Sequence, residues 1–173
     1  MKNAEMYTRQ LEESIRRLLE PIRGVPFAVV IKALTGCEVL AFDREVKENE
    51  RLVEDLSKAA RLAGENAFRV GIFTSRPNEA GNRIEPFVLE ALGRVGLKAD
   101  RPATRTGRRK AAGYPDIEIV GRDGLVAYLD CKTYNTATKD QSFRTFYFSP
   151  SDDPKITKDA FHLLMSFELD VEE

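Results

Sequence analysis

The stretch that decides the fold spans residues 114–132 and reads Tyr-Pro-Asp-Ile-Glu-Ile-Val-Gly-Arg-Asp-Gly-Leu-Val-Ala-Tyr-Leu-Asp-Cys-Lys. Two runs of β-forming residues, 116–120 and 125–132, lie on either side of an Asp-Gly pair. Asp-Gly is a favoured turn between antiparallel strands, and alternating apolar residues on both sides strengthen the signal. This stretch therefore predicts a β-hairpin.

Charged side chains gather at the open end of this hairpin. Side chains alternate between the two faces of a strand, so Asp130 and Lys132 share one face and Cys131 takes the other. Closing the turn brings Asp116 beside them. Neighbouring carboxylates repel each other unless a cation neutralises them, and their hard oxygens suit Mg²⁺. A metal-activated water with a lysine beside it is suited to phosphodiester hydrolysis, which is the predicted chemistry.

The tripeptide acid-x-Lys has no weight alone, because it also occurs at residues 45–47 and 153–155, whereas Pro-Asp occurs once. The predicted strand-turn-strand pattern gives the pair its meaning. A salt-bridged surface hairpin without catalytic purpose is the alternative interpretation.

Pro115-Asp116 followed by Asp130-Cys131-Lys132 resembles the PD-(D/E)xK nuclease superfamily, which includes type II restriction endonucleases, archaeal Holliday-junction resolvases and repair exonucleases. Residues 81–88, Gly-Asn-Arg-Ile-Glu-Pro-Phe-Val, are similar to the helix in which a glycine precedes an active-site glutamate. The resemblance implies catalysis by Asp116, Asp130, Lys132 and Glu85. It implies Mg²⁺, with Mn²⁺ as a substitute, held by Asp116, Asp130, Glu85 and the backbone carbonyl of Cys131.

Other carboxylates compete with this assignment. A glutamate such as Glu85 near a helix start interacts favourably with the helix dipole without any catalytic purpose. Glu90 on the same predicted helix is a rival for its place. Glu118 shares a strand face with Asp116 and is a secondary candidate, although a charge at a sheet edge is the simpler interpretation.

A basic loop precedes the hairpin. Residues 101–110 read Arg-Pro-Ala-Thr-Arg-Thr-Gly-Arg-Arg-Lys, with cations and no acid. Such a loop is suited to DNA phosphates, so DNA contacts are predicted for Arg101, Arg105, Arg108, Arg109 and Lys110. The alternative is a solvated connection.

Polar residues after Lys132 are also candidates for DNA contact. Amide and cationic side chains read base edges in the major groove, which predicts DNA contacts for Asn135, Lys139, Gln141 and Arg144. Contacts to backbone phosphates are an alternative for Ser142, Arg144, Lys155 and Lys158. The same residue types also form ordinary turns.

The remaining patterns predict a single α/β domain. Helices are expected at 4–20, 45–63 and 82–95 and near 155–159, a hairpin at 26–34 and 37–42, and strands at 68–73, 142–148 and 162–169. With the resemblance, this gives a restriction-endonuclease-like core, a central mixed β-sheet flanked by helices. The catalytic core is expected at 78–169 and an N-terminal helix and β-hairpin addition at 1–43.

The composition excludes several classes of protein. The chain has 173 residues, is 42% hydrophobic and 32% charged, and carries a formal net charge of -1. It has no apolar run long enough to span a bilayer and no signal peptide, so a cytoplasmic protein without membrane contact is expected. Two cysteines lack metal-site spacing, and the single histidine, His162, lies in an apolar run. No nucleotide-binding motif is present.

The predicted function is a type II restriction endonuclease that acts on double-stranded DNA. The N-terminal elements and the polar segment after Lys132 leave material for sequence recognition. A palindromic target would imply a homodimer, and a cognate DNA methyltransferase is expected to be encoded nearby. A junction resolvase or repair nuclease is the first alternative, and a non-catalytic nucleic-acid-binding protein of the same fold is the second.

Overall fold

The computed structural model describes residues 2–19, 24–73, 80–121, 124–136 and 151–169. These residues form an α/β structure, as predicted. Its elements are α1 Lys2–Leu19, α2 Phe27–Thr35, α3 Lys47–Val70, α4 Ala80–Arg94, β1 Lys98–Asp100, β2 Ile117–Val120, β3 Val126–Asn135 and β4 Phe161–Leu169. Within these ranges, no helix combines the length and the apolar character that crossing a membrane requires.

The strands form one mixed sheet in the order β1-β2-β3-β4. β1 pairs with β2 and β2 with β3 in antiparallel fashion, whereas β3 and β4 are parallel. The predicted hairpin is confirmed, because Ile117 faces Leu129 and Val120 faces Val126 across the β2–β3 ladder. The predicted central mixed sheet is therefore present.

Both faces of the sheet are covered. On one face, Ala127, Leu129 and Cys131 of β3 join a large buried cluster with residues of α3 and α4. On the other face, Tyr128 joins a smaller cluster that includes Ile31 of α2 and Ile156. Because strand side chains alternate, Asp130 and Lys132 belong to the face of Tyr128. The site residues of β3 thus point away from the face that α4 covers.

The predicted N-terminal hairpin is wrong. Residues 27–35 form helix α2, and residues 37–42 contribute an isolated bridge between Val39 and Ala160. The backbone N–H groups of Val29 and Val30 donate to the carbonyl of Pro26 at 3.0 and 3.3 Å, and Gly36 ends the helix with a φ of 79°. Burial of one side of α2 outweighs the β propensity of its Val and Ile residues.

Three further expectations fail, namely the end of α3, the strand at 68–73 and the helix near 155–159. Helix α3 does not end at Gly64 but continues to Val70, so the strand predicted at 68–73 is absent. A glycine in a helix interior costs only about 1 kcal/mol, which the packing of α3 against α4 overcomes. The segment 155–159 is irregular rather than helical. The strand predicted at 142–148 lies outside the described residues.

Candidate active site

Asp116 is fixed where the chain enters β2. Its backbone N–H donates to the carbonyl of Leu129 at 3.2 Å, and its Oδ2 accepts a 2.8 Å hydrogen bond from the backbone N–H of Cys131. Burial raises the pKa of the Asp116 carboxyl, the Cys131 N–H lowers it, and nearby Asp130 raises it again. The structure therefore brings Asp116 beside the part of β3 that carries the other predicted residues.

Asp130 and Lys132 form an ion pair at the same place. Asp130 is only 4% exposed, and its Oδ2 lies 2.8 Å from Nζ of Lys132. Apart from this ion pair, no hydrogen bond from the described residues reaches that oxygen. The side chain of Lys132 is 47% exposed, so its ammonium is accessible from solvent. Between them, Cys131 is buried, and burial raises the pKa of its thiol, so the neutral thiol is favoured.

Glu85 approaches from α4. It is 6% exposed, and its Oε2 lies 3.6 Å from the guanidinium of Arg101. Burial raises the pKa of the Glu85 carboxyl, Asp116 raises it further, and the nearby Arg101 and Lys155 oppose the shift. We call Glu85, Asp116 and Asp130 the carboxylate edge.

The rival carboxylates are engaged elsewhere. Glu90 forms a 2.8 Å ion pair with Arg94 along the exposed side of α4. Glu118 accepts a 2.7 Å hydrogen bond from Nζ of Lys158. Both contacts are ordinary surface ion pairs, which leaves Glu85 as the buried glutamate beside the aspartates.

The carboxylate edge has the donor chemistry of a hard divalent cation site, since carboxylate oxygens are the ligands that Mg²⁺ prefers. The raised pKa values of Asp116 and Glu85 and the buried Oδ2 of Asp130 all mark negative charge that lacks full compensation. Among the described residues, however, no three acidic, histidine or cysteine side chains lie close enough to form a metal-binding group. Asp130 is turned toward Lys132 and Glu85 toward Arg101. A metal at this edge therefore requires these carboxylates to exchange a cationic partner for the ion.

Aromatic rings pack around Tyr114, in the segment that leads to Asp116. The peptide bond between Tyr114 and Pro115 is cis. The ring of Tyr114 stacks on His162 at 5.7 Å between centroids, and a 2.6 Å hydrogen bond joins its hydroxyl to Nδ1 of His162. Burial lowers the pKa of His162 to about 4, so the ring is neutral at physiological pH. His162 therefore packs as a neutral ring among Phe27, Tyr114 and Tyr128.

The basic loop is folded rather than extended. Ala103 and Arg109 form an isolated bridge, and Gly107 takes a φ of 82° in the turn between them. Four of its cations form ion pairs or hydrogen bonds. Arg101 pairs with Glu85, and Arg105 donates to the carbonyl of Thr35. Arg109 pairs with Asp100, and Lys110 pairs with Asp153. Arg108 is exposed, and its guanidinium forms no hydrogen bond or ion pair with the residues that the structure describes.

Of the four residues after Lys132 that are predicted to contact DNA, the structure describes Asn135 alone. Asn135 is the last residue of β3 and faces Leu169 of β4. Lys139, Gln141, Ser142 and Arg144 lie outside the described residues. Lys158 pairs with Glu118, whereas Lys155, an alternative phosphate contact, is buried and donates to backbone carbonyls.

Sequence reasoning missed Asp153 and considered Lys155 only for a phosphate contact, although the structure places both near the site. Lys155 donates hydrogen bonds to carbonyls of the segment that leads to Asp116, and Asp153 binds the basic loop. Both belong to an acid-x-Lys tripeptide whose pattern alone carried no information. Their partners are distant in sequence, so no local signal identifies them.

Comparison with known proteins gives the family. The sequence model of the type II restriction enzyme MjaV family matches residues 21–173. The type II restriction enzyme MjaV of Methanocaldococcus jannaschii is 36% identical over 179 residues, a match that covers 95% of this chain and 77% of the relative. No solved structure matches the chain. This chain belongs to the MjaV family of type II restriction enzymes.

Proposed function

We propose that this protein is a type II restriction endonuclease that hydrolyses double-stranded DNA at a specific sequence, with the carboxylate edge as its catalytic centre. Membership in a restriction enzyme family supports the reaction. The observation that carries the assignment of the site is the meeting of Asp116 with Asp130 and Lys132 at one end of the β2–β3 hairpin.

The carboxylate edge would hold the metal. Asp116 and Asp130 are the proposed direct ligands, with the backbone carbonyl of Cys131 and with Glu85 as further oxygen donors. Their hard oxygens favour Mg²⁺, and Mn²⁺ is the expected substitute. When bound, a divalent ion supplies positive charge beside the scissile phosphate and acidity for the attacking water.

The residues of the chain supply orientation and charge. The N–H of Cys131 holds the carboxylate of Asp116 in a fixed direction. Lys132 has its ammonium 2.8 Å from Asp130 and partly open to solvent, so it can donate to a phosphate oxygen or orient a water. The buried Glu85 adds negative charge that draws the metal toward the edge.

The basic loop is the proposed DNA-binding element, with Arg101, Arg105, Arg108, Arg109 and Lys110 as its cations. Arg108 is best placed to reach DNA, because its guanidinium is exposed and the other four are engaged within the described part of the protein. We further propose base or phosphate contacts for Asn135, Lys139, Gln141 and Arg144.

Residues 78–169 would form a restriction-endonuclease-like core. Two chains would act as a homodimer on a palindromic target. A methyltransferase would protect the DNA of the host.

The decisive experiment offers purified protein two substrates in Mg²⁺, a long linear duplex and a four-way junction. Discrete, reproducible fragments from the duplex are expected, and they should disappear with EDTA and return with Mn²⁺. Cleavage of the junction alone would instead favour the resolvase alternative. Binding of the duplex without cleavage in either metal would support the non-catalytic alternative.

A further inference from the structure

Residues 153–155, Asp-Pro-Lys, lie where two functional segments meet. We call them the clamp segment. They come shortly before β4, yet their contacts reach the basic loop and the residues 111–115 that lead to Asp116. No regular secondary structure accounts for this arrangement, since the clamp segment is irregular.

Lys155 is a buried cation without a salt bridge among the described residues. It is 4% exposed, and its Nζ donates to the carbonyls of Gly113 at 2.6 Å, Pro115 at 3.0 Å and Ala111 at 3.4 Å. An ammonium has three N–H donors, so these carbonyls satisfy all of them. Every acceptor belongs to the short segment that ends at Asp116. The ammonium therefore holds that segment from inside the protein.

A lysine in this position is costly unless its surroundings favour the charge. Burial lowers the pKa of Lys155, and the negative charges of Asp116 and Glu85 oppose the shift. The ammonium of Lys155 thus lies buried near these carboxylates, whereas that of Lys132 is partly open to solvent. The two lysines have separate places around the same carboxylates.

The other end of the clamp segment holds the basic loop. The carboxylate of Asp153 accepts hydrogen bonds from the backbone N–H of Thr106 at 3.0 Å and from its hydroxyl at 2.7 Å, and it pairs with Lys110 at 3.5 Å. The carbonyl of Pro154 accepts a 3.0 Å hydrogen bond from the N–H of Arg105. The basic loop and the segment before Asp116 are therefore fastened to the same three residues.

We propose that Lys155 is a positioning residue that holds Asp116 in place at the carboxylate edge, and that the clamp segment fixes this edge relative to the basic loop. The inference rests on the proposed function, because it assigns to Asp116 a role in cleavage. Lys155 acts through the carbonyls of residues 111–115 and has no contact with DNA.

The test compares Lys155→Met with Lys58→Met, a matched control at the exposed ion pair of α3. Single-turnover cleavage is measured in saturating Mg²⁺, and duplex binding is measured by fluorescence anisotropy in Ca²⁺. Displacement of a catalytic group by about 1 Å can cost on the order of 100-fold in rate. Lys155→Met is therefore expected to lower the cleavage rate by about 10- to 100-fold and to change the duplex Kd by less than about threefold, while Lys58→Met matches the original protein.

A spectroscopic readout reports on Asp116 directly. The Cys131 amide donates to the Asp116 carboxylate, so its proton signal in a heteronuclear NMR spectrum depends on where that carboxylate lies. Asp116→Ala gives the position of this signal when the hydrogen bond is lost. In Lys155→Met the Cys131 signal is expected to move toward that position, with the signals of α3 unchanged.

The outcomes separate this inference from the proposed function. If Asp130→Asn abolishes cleavage but Lys155→Met cleaves at the original rate, or if the Cys131 signal stays in place, the positioning role is refuted and the proposed function stands. If Lys155→Met loses DNA affinity as strongly as cleavage, Lys155 is merely structural. If Lys155→Met does not fold, Lys155→Gln, which keeps two N–H donors, undergoes the same measurements under the same criteria.

Discussion

The carboxylate edge and the basic loop hold their charges in opposite ways. Glu85 and Asp130 are almost fully buried, and the carboxylates lie on α4, on β3 and at the entry to β2. The cations of the basic loop lie at the surface or half-buried and are engaged mostly in weak ion pairs and hydrogen bonds. Buried charge is expensive, whereas exposed pairs contribute little. Burial of charge therefore costs stability at the edge, whereas the contacts of the loop are easy to exchange.

Among the substitutions that test this comparison, Asp130→Asn is expected to have the largest effect. Loss of this proposed metal ligand would remove charge stabilisation worth several kcal/mol, so cleavage should fall by about 1000-fold or more. Duplex binding should remain within about threefold, because the basic loop is intact. Gel assays of cleavage and anisotropy in Ca²⁺ measure the two effects. Cleavage near the original rate would refute the carboxylate edge as the catalytic centre.

Glu85→Gln should separate activity from stability. The pKa of the Glu85 carboxyl is raised in the folded protein. Its favourable contribution to the free energy of unfolding is therefore complete below the unfolded-state pKa of 4.5 and is lost as pH rises through the folded-state pKa. Above the folded-state pKa, the buried and ionised carboxylate therefore destabilises the fold. Glu85→Gln is expected to raise the melting temperature while lowering cleavage by about 10- to 100-fold.

The control for that prediction is Glu90→Gln, on the exposed side of the same helix. It should leave cleavage unchanged and give no gain in melting temperature, because its exposed pair with Arg94 contributes little. The gain from Glu85→Gln should also shrink as pH falls toward 4.5. A gain that is independent of pH, or equal in both variants, contradicts the assignment of buried charge to Glu85.

Arg108→Ala tests the loop side of the comparison. Its guanidinium is exposed and forms no hydrogen bond or ion pair within the described ranges, so its loss should weaken duplex binding by roughly tenfold and reduce the slope of log K against log salt by about 1. The melting temperature should not change. Lys58→Ala on α3 is the control, with binding expected at the original level. Equal effects of the two substitutions would remove Arg108 from the DNA interface.

The smallest effect is expected from Asp100→Asn. The guanidinium of Arg109 lowers the pKa of Asp100, so this carboxylate is ionised in the pair. Its neutralisation releases Arg109 for DNA and should tighten duplex binding by about two- to threefold at low salt, with the difference vanishing near 1 M salt. Weaker binding by this variant would show that the pair shapes the loop rather than competing with DNA.

The sequence predicted those elements of the fold that have a strong local pattern. The period of two around an Asp-Gly turn correctly predicted the β2–β3 hairpin and the approach of Asp116 to Asp130 and Lys132. Spacing of apolar residues also predicted α1, α4 and β4. These elements have a local signal, because periodicity and turn residues act over a few positions.

Where tertiary packing decides, the sequence was misleading. Residues 27–35 carry the β-branched residues of a strand but fold as α2, because Ile31 and Thr35 are buried on one side of a helix. Gly64 is a typical helix end, yet it lies within α3. The buried place of Lys155 depends on carbonyls about 40 positions away. Local patterns carry no information about such distant partners.

The mixed pairing of β3 has a consequence for the order in which the protein assembles. Its antiparallel neighbour β2 is joined to it by a short turn, whereas its parallel neighbour β4 begins well after β3 ends at Asn135. Closing a longer loop costs more entropy, and such non-local pairings form slowly. Asp116, at the entry to β2, and Asp130 of β3 therefore meet early in folding, while β4 and the clamp segment before it join late. If the clamp segment positions Asp116 as proposed, we expect a chain still emerging from the ribosome to lack an ordered site.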